Sequence, residues 1–173
     1  TRRRARVVSR ATEQQTALFE VEQLPTVKLG DEFKVGSLKL RAVDMGGHAI
    51  ARRMWREYAK DADAVVFIVD SADRERFEEA ALELHKLLAG GSLPVQAPVL
   101  ILGNKVDLPH AAREEELYYC LGMDQLQGGG APGGVPGGGV VGPPGGRAVK
   151  LFRCSVFAGE GYVSGLEWLA QFV

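Results

Sequence analysis

Two runs of apolar residues, each followed by polar residues, constrain the fold of this 173-residue chain more than any other feature. Residues 64–70 read Ala-Val-Val-Phe-Ile-Val-Asp, and residues 98–103 repeat the pattern as Pro-Val-Leu-Ile-Leu-Gly. Apolar side chains on both faces of a short strand are typical of the central strands of a parallel sheet. Because helical patterns separate the strands, the sequence predicts an α/β fold with a mostly parallel sheet flanked by helices.

Further segments continue this alternation of strands and helices. Residues 34–43 have the pattern of a half-exposed strand that ends at Asp44, and residues 149–156 are predicted to form the last strand. Helices are predicted at residues 49–59, 73–89, 113–121 and 165–173. Parallel strands that are joined through helices have right-handed crossovers. We therefore expect one sheet that is covered by these helices.

Composition indicates one domain without a strong overall charge. Hydrophobic residues make up 46% of the chain, which is enough to close one core. The formal net charge is −1 and the pI is about 6.3, so binding to nucleic acid is not indicated. No run of 18 apolar residues occurs, so no membrane-spanning helix is predicted. Cys120 and Cys154 fit buried thiols of a reduced, cytosolic protein.

Two segments lack the pattern of a folded core. Residues 1–24 begin with arginines at positions 2, 3, 4, 6 and 10 and are predicted to be a disordered basic segment, with a phosphate or lipid contact as the alternative. Residues 128–146 contain almost only Gly, Pro, Ala and Val. They are predicted to be a disordered loop inserted into a domain that spans residues 25–173.

The segment after the second apolar run has the residue types that read a guanine ring. Asp107 can accept hydrogen bonds from both the N1–H and the exocyclic amine of guanine, a pair of donors that adenine lacks. Asn104 can bond the N7 side of the ring or tie the loops together, and the aliphatic stem of Lys105 can lie on the ring plane. Ligands bind at the carboxyl ends of parallel strands, so this placement predicts a guanine nucleotide site.

The strand that ends at Asp44 brings a second group to the same edge. Asp44 can hold magnesium directly or through water, and Gly46 and Gly47 let backbone amides approach a terminal phosphate. His48 follows at a position from which a side chain could orient an attacking water. The alternatives are an acid that caps the following turn and a histidine at the surface.

The predicted helix at residues 49–59 has two interpretations. Ile50, Met54, Trp55 and Tyr58 recur at helical spacing, which is usual for side chains that pack into a core. In a nucleotide-dependent switch, the same helix repacks between states and offers these side chains to a partner. The sequence alone leaves both interpretations open.

From Asp44 to Val173 the sequence resembles the Sar family of small GTPases, relatives of Ras and Arf proteins that start COPII coat assembly at the endoplasmic reticulum. The motifs are Asp-Met-Gly-Gly-His at 44–48, Ala-Arg-Arg-Met-Trp at 51–55, Val-Asp-Ser-Ala-Asp-Arg-Glu-Arg at 69–76, Leu-Gly-Asn-Lys-Val-Asp at 102–107, Cys-Ser-Val at 154–156 and Gly-Tyr at 161–162. His48 distinguishes this subfamily, because Ras and Arf relatives generally carry glutamine there.

The resemblance implies a Ras-like fold of the P-loop NTPase type that binds and hydrolyses GTP, with Mg²⁺ as cofactor. It also implies COPII inner-coat proteins, an exchange factor and an activating protein as partners in vesicle transport from the endoplasmic reticulum to the Golgi. The full-length form would be cytoplasmic and peripheral on both membranes. By resemblance, His48 would position the hydrolytic water, and Asp44 and Thr26 would serve magnesium. The residues implied to hold the nucleotide are Gly47, Asn104, Lys105, Asp107, Ser155, Val156 and Phe157.

No stretch of the chain matches G-x-x-x-x-G-K-[ST], the phosphate loop of this fold. The first strand and its phosphate loop are therefore expected to be missing or replaced, and the sheet is expected to lack a central strand. The phosphate loop would supply several charge-assisted hydrogen bonds, each worth about 1.5–3 kcal/mol. Because these bonds are lost with the loop, the chain alone is expected to bind GTP poorly.

Three hypotheses account for these features. The chain begins with Thr1 rather than Met, so the first is a fragment of a coat-recruiting GTPase. The second is a degenerate GTPase-like binding module that does not hydrolyse nucleotide. The third is an unrelated α/β enzyme that uses Asp44 and His48 as an acid–base pair.

Overall fold

A computed structural model of the chain describes residues 4–11, 27–35, 38–89, 91, 93–127, 140–141 and 146–173. The strands are β1 (Arg4–Ala11), β2 (Val27–Val35), β3 (Leu38–Gly46), β4 (Ala64–Asp70), β5 (Val99–Asn104), β6 (Val140–Val141) and β7 (Ala148–Arg153). The α-helices are α1 (Ala49–Ala59), α2 (Phe77–Ala89), α3 (Glu114–Cys120) and α4 (Tyr162–Leu169), and short 3₁₀ helices span Arg74–Arg76 and Gln125–Gln127.

Within these ranges the strands form one seven-stranded sheet in the order β2-β3-β1-β4-β5-β7-β6. The five inner strands pair in parallel. The short β6 and the longer β2 pair antiparallel at the two edges. The predicted α/β class with a mostly parallel sheet is therefore confirmed.

The first strand of the sheet is present, so the expectation that the sheet lacks a central strand is wrong. β1 lies between β3 and β4, and its Val7 and Val8 pair with Ala64 and Val65. Residues 4–11 are thus a strand where a disordered segment was expected, whereas residues 12–24 lie outside the described residues. The arginines interrupt the apolar pattern on which a sequence prediction depends, and pairing with two neighbours is a tertiary property.

Most of the remaining predictions are confirmed with shifted boundaries, but two that concern strands are wrong. The helix predicted at residues 49–59 is confirmed at the same residues as α1. The single strand expected at residues 34–43 is wrong, because that region holds the end of β2 and most of β3. Residues 140–141 form a strand inside the segment predicted to be a disordered loop, because they pair with Ala148 and Val149 of β7.

The core lies on both faces of the sheet, as the apolar runs predict. Successive residues of a strand point to opposite faces, so Phe67 packs in the cluster under α1, α2 and α3, while Val66 packs in the cluster under α4. Ile101 and Leu100 divide in the same way on β5. In the described part of the chain, no helix combines the length and the apolar character that crossing a membrane requires.

Candidate functional site

Parallel pairing places the ends of β3, β4, β5 and β7 at one edge of the sheet. Two strands, β1 and β4, lie between β3 and β5. Neighbouring strands are about 4.8 Å apart, so the two predicted motifs are separated by roughly 14 Å across the sheet. The predicted site therefore has two halves, one at residues 44–48 and one formed by residues 104–107 and 155–157.

Asn104 joins the loops of the second half. Its side-chain Oδ1 accepts a hydrogen bond of 3.0 Å from the backbone N–H of Val156. Its carbonyl oxygen accepts another, of 2.8 Å, from the N–H of Ser71. Of the two roles predicted for Asn104, the structure thus shows the one that ties the loops together.

Asp107 is oriented by a buried hydroxyl. The Oγ of Ser155 donates a hydrogen bond of 2.5 Å to Oδ1 of Asp107, and it accepts one of 3.0 Å from the N–H of Ala158. Ser155 is 1% exposed, whereas Asp107 is exposed to solvent. A hydrogen bond to a carboxylate is stronger than one between neutral groups, so the loop holds this acid in one orientation.

Lys105 has a partner that the sequence did not predict. Its ammonium lies 2.6 Å from Oδ2 of Asp70, a carboxylate that is 7% exposed at the end of β4. Lys105 also has a φ of 67°, in the left-handed region that non-glycine residues seldom occupy. A polar residue directly after an apolar strand was the signal that identified Asp44, and Asp70 carries the same signal.

The last predicted base-site residues lie on an exposed loop. Val156 is 56% exposed and Phe157 is 95% exposed. The loop is closed by two backbone hydrogen bonds between Ser155 and Glu160, of 2.9 and 3.0 Å. These residues therefore share one loop with the serine that orients Asp107.

In the first half of the site, His48 begins α1. Its Nδ1 accepts a hydrogen bond of 3.4 Å from the N–H of Ala51, which makes it the N-cap of the helix. Its Nε2 is buried without a hydrogen-bond partner among the described residues. Asp44 is exposed near the end of β3, and Gly47 is buried. His48 therefore has a capping role at the start of α1.

Trp55 links α1 to the glycine turn. Its indole N–H donates a hydrogen bond of 3.2 Å to the carbonyl oxygen of Gly46, and its ring packs edge-on against Phe67 at 6.3 Å between centroids. Trp55 is buried, so this part of the predicted partner surface belongs to the core in this conformation. Thr26, the second predicted magnesium ligand, lies outside the described residues.

Neither cysteine forms a disulfide. Cys154 is buried, as predicted, and burial raises its pKa to about 11. The prediction that Cys120 is buried is wrong, because it lies at the exposed end of the short α3. Cys154 supports the base-site loops through a thiol contact of 3.8 Å to Oδ1 of Asn104.

Comparison with known proteins agrees with this arrangement. The sequence profile of the ADP-ribosylation factor family matches residues 10–173. The small COPII coat GTPase SAR1 of Giardia intestinalis is 36% identical over 151 residues, which cover 87% of this chain and 73% of that protein. The protein of the same name from Nicotiana tabacum is 38% identical over 155 residues, with 87% and 74% covered. ADP-ribosylation factor-like protein 1 of Caenorhabditis elegans is 33% identical over 153 residues, again with 87% and 74% covered. The chain therefore belongs to the ADP-ribosylation factor family of small GTPases, within the Ras/Arf superfamily.

Proposed function

We propose that this protein is a Sar-type small GTPase that recognises guanine nucleotides and recruits COPII coat components to membranes of the endoplasmic reticulum. The observation that carries the proposal is the orientation of the Asp107 carboxylate by the buried Ser155 hydroxyl. The relatives named as small COPII coat GTPases support the cellular role.

Guanine recognition follows from the chemistry of the loops. Asp107 accepts from the N1–H and the 2-amino group of guanine, and adenine offers no such pair of donors. The side chain of Lys105 supplies an aliphatic stem that can cover the base, while its ammonium is held by Asp70. Asn104 keeps the two loops at a fixed distance through Val156.

The other half of the site fits a phosphate group with magnesium. Asp44 provides an exposed carboxylate at the strand end, and Gly47 has no side chain to obstruct a phosphate. Among the described residues no group of three or more His, Cys, Asp or Glu could hold a metal by itself. Mg²⁺ commonly takes only one or two carboxylates together with substrate phosphates, so Asp44 with Thr26 is a suitable ligand set. When bound, the metal supplies charge neutralisation at the phosphates.

His48 is proposed to orient the hydrolytic water. The support is its Nε2, which is buried and has no hydrogen-bond partner among the residues that the structure describes. A buried polar atom without a partner requires an explanation, and a ligand or water is the usual one. Because Nδ1 caps α1, only Nε2 is available for this role.

A second candidate function is a binding module without hydrolysis. The observation that favours it is the absence of a G-x-x-x-x-G-K-[ST] stretch from the sequence. Such a loop supplies backbone donors, a lysine charge and a hydroxyl ligand to magnesium. Because this sequence lacks these groups, both candidate functions predict weak nucleotide binding.

Nucleotide titration tests the guanine recognition on which the proposal depends. We expect a purified sample without tightly bound nucleotide, weak binding of GDP with Mg²⁺, and weaker binding of ADP. Asp107→Asn should shift the preference from guanine to xanthine, because the asparagine amide can donate to the C2 carbonyl of xanthine. Equal affinity for GDP and ADP would contradict guanine recognition, and stoichiometric GDP in the purified protein would contradict the predicted weakness.

The coat role requires a separate experiment. Immobilised protein kept in a saturating concentration of a non-hydrolysable GTP analogue is expected to retain COPII inner-coat proteins, and protein kept in saturating GDP is expected to retain less. His48→Asn serves as a control for the folding of α1, because asparagine can replace the N-cap of that helix. Equal retention in both nucleotide states would assign the protein to the second candidate function.

A further inference from the structure

A groove between α1 and α2 begins beside His48, because Ala49, the first residue of α1, lines it. Its volume is about 440 Å³. Among the described residues that line it, none is predicted to contact nucleotide. Ligand pockets usually measure several hundred Å³, so the groove can accept the side chains of a short peptide segment.

The groove has an excess of positive charge. Arg52 is paired with Glu79 and lies 3.8 Å from Glu83, and the ammonium of Lys86 lies 3.1 Å from the same Glu83. The hydrogen bond from Arg76 is the largest cause that holds the pKa of Glu79 below its usual value, and the hydrogen bond and charge of Arg52 lower it further. These cations are thus neutralised within the protein.

Arg53 and Arg56 are different. Both line the groove from α1 and are exposed, and neither has an ion-pair partner among the described residues. Residues three apart on a helix lie on the same side, so the two guanidinium groups form one cationic rim. Two unpaired guanidinium groups beside a cavity favour carboxylates as ligands, because the planar group can bind a carboxylate through two hydrogen bonds.

The floor of the groove is apolar and fixed. Trp55 and Leu87 are 7% and 8% exposed, and the indole is held by the carbonyl of Gly46 and by Phe67. An apolar floor below a cationic rim is complementary to an apolar side chain with acidic neighbours.

We propose that the groove between α1 and α2 binds an acidic peptide segment of a partner protein. An apolar side chain of the segment contacts Trp55 and Leu87, and flanking carboxylates pair with Arg53 and Arg56. A membrane surface fits less well, because a flat layer of headgroups would reach the arginines and not the apolar floor. The proposal rests on the arrangement of α1 and α2 in this structure and not on the proposed guanine recognition.

Fluorescence anisotropy with synthetic peptides tests this proposal. The probe is labelled Glu-Glu-Leu-Phe-Glu-Glu, and its controls carry Gln or Lys in place of every Glu. We expect binding of the Glu peptide that weakens with added salt, weaker binding of the Gln peptide, and none of the Lys peptide. The chain has two tryptophans, so a Trp168→Phe background makes Trp55 the sole indole, and its emission should change with the Glu peptide.

Charge reversal locates the binding site. Arg53→Glu combined with Arg56→Glu should weaken binding of the Glu peptide by roughly tenfold or more. The matched control is Lys34→Glu combined with Arg113→Glu, which changes the net charge equally at exposed positions away from the groove and should leave the affinity unchanged.

Three outcomes would overturn the proposal. The first is equal loss in the two double variants, which would indicate a general charge effect. The second is no binding of the Glu peptide up to about 1 mM. The third is binding of phosphatidylserine vesicles that depends on Arg53 and Arg56 in the absence of any peptide effect.

Discussion

The carboxylate of Asp70 lies 2.6 Å from the ammonium of Lys105, and this ion pair joins the ends of neighbouring strands. Asp70 is buried, and its Oδ1 also accepts a hydrogen bond of 2.9 Å from the N–H of Ala72. The left-handed backbone of Lys105 costs on the order of 1–3 kcal/mol, so surrounding contacts must hold it. The ion pair with Asp70 is one such contact, and it fixes the direction of the lysine side chain.

Asp70→Asn should weaken purine binding without changing base selectivity. Asparagine keeps an acceptor for Ala72 but removes the charge that holds Lys105, so the stem of Lys105 becomes mobile. We expect the affinities for GDP and inosine diphosphate to fall by the same factor, roughly tenfold, because a stacked stem does not distinguish the two bases. Since Lys105 is 28% exposed, the free energy of unfolding should fall by only about 1–2 kcal/mol.

Asp107→Asn is the matched comparison, because inosine lacks the 2-amino group that Asp107 is proposed to bind. That variant should lower the ratio of GDP affinity to inosine diphosphate affinity. Isothermal titration of both nucleotides measures both effects. A change of this ratio in Asp70→Asn, or unchanged affinities, would rule out a role of the ion pair in positioning Lys105.

Gly161→Ala should destabilise the loop that carries Ser155. Gly161 has a φ of +80°, and a Cβ there would lie 2.2 Å from the carbonyl oxygen of Arg153. Gly159 has a similar φ of +77°, but a Cβ there would meet nothing within 4 Å. Gly159→Ala should therefore cost about 1 kcal/mol of unfolding free energy, and Gly161→Ala about 3 kcal/mol or more. Urea denaturation measures both, and equal losses would show that the loop can shift away from Arg153.

The inner strands that are apolar on both faces could be predicted from the sequence, whereas the inner strand β1 and the edge strand β6 could not. Phe67 and Val66 are both apolar because both faces of β4 are covered, so burial itself produces a visible run. β1 contains arginines and was missed, since its place depends on pairing with β3 and β4. Val140–Val141 was missed for the same reason, because two residues carry no detectable period.

The residue types of the site could be predicted from the sequence, but the contacts between its side chains could not. Asn104 and Asp107 follow a buried strand, and the ends of parallel strands are ligand sites. The hydrogen bond from Ser155 to Asp107 and the ion pair of Lys105 with Asp70 join segments that are distant in sequence. Such partners are chosen by the packing of loops, for which a single sequence carries no local signal.

The two cysteines should differ sharply in reactivity. Burial raises the pKa of Cys154 from an ordinary value of 9.0 to about 11, while Cys120 is exposed. Because only the thiolate reacts, iodoacetamide at pH 8 should modify Cys120 alone, and mass spectrometry after digestion should locate the adduct. Denatured protein should react at both thiols, and equal labelling of Cys154 in the folded protein would show that the base-site loops open readily.

The raised pKa of Cys154 also predicts a dependence of stability on pH. The folded state holds the proton more tightly than the unfolded state, so this stabilisation is full below pH 9.0 and is lost as the pH rises through about 11. Cys154→Ala lacks the ionisable group, so its stability should fall less over that range. Urea denaturation at several pH values measures the difference, and parallel curves for the two proteins would contradict the prediction.

His48 has two separable roles that substitution should distinguish. Nδ1 caps α1, and Nε2 is the nitrogen proposed to orient water. His48→Asn keeps a good N-cap, whereas His48→Gly costs a few tenths of a kcal/mol of helix stability. In a preparation that hydrolyses GTP, both variants should therefore bind GTP nearly as well as the parent, and both should hydrolyse it more slowly by roughly 10²-fold or more. Single-turnover hydrolysis measured beside equilibrium GTP binding provides the comparison. Normal hydrolysis in His48→Asn would limit His48 to capping, and equal loss of binding and hydrolysis would remove the water-orienting role.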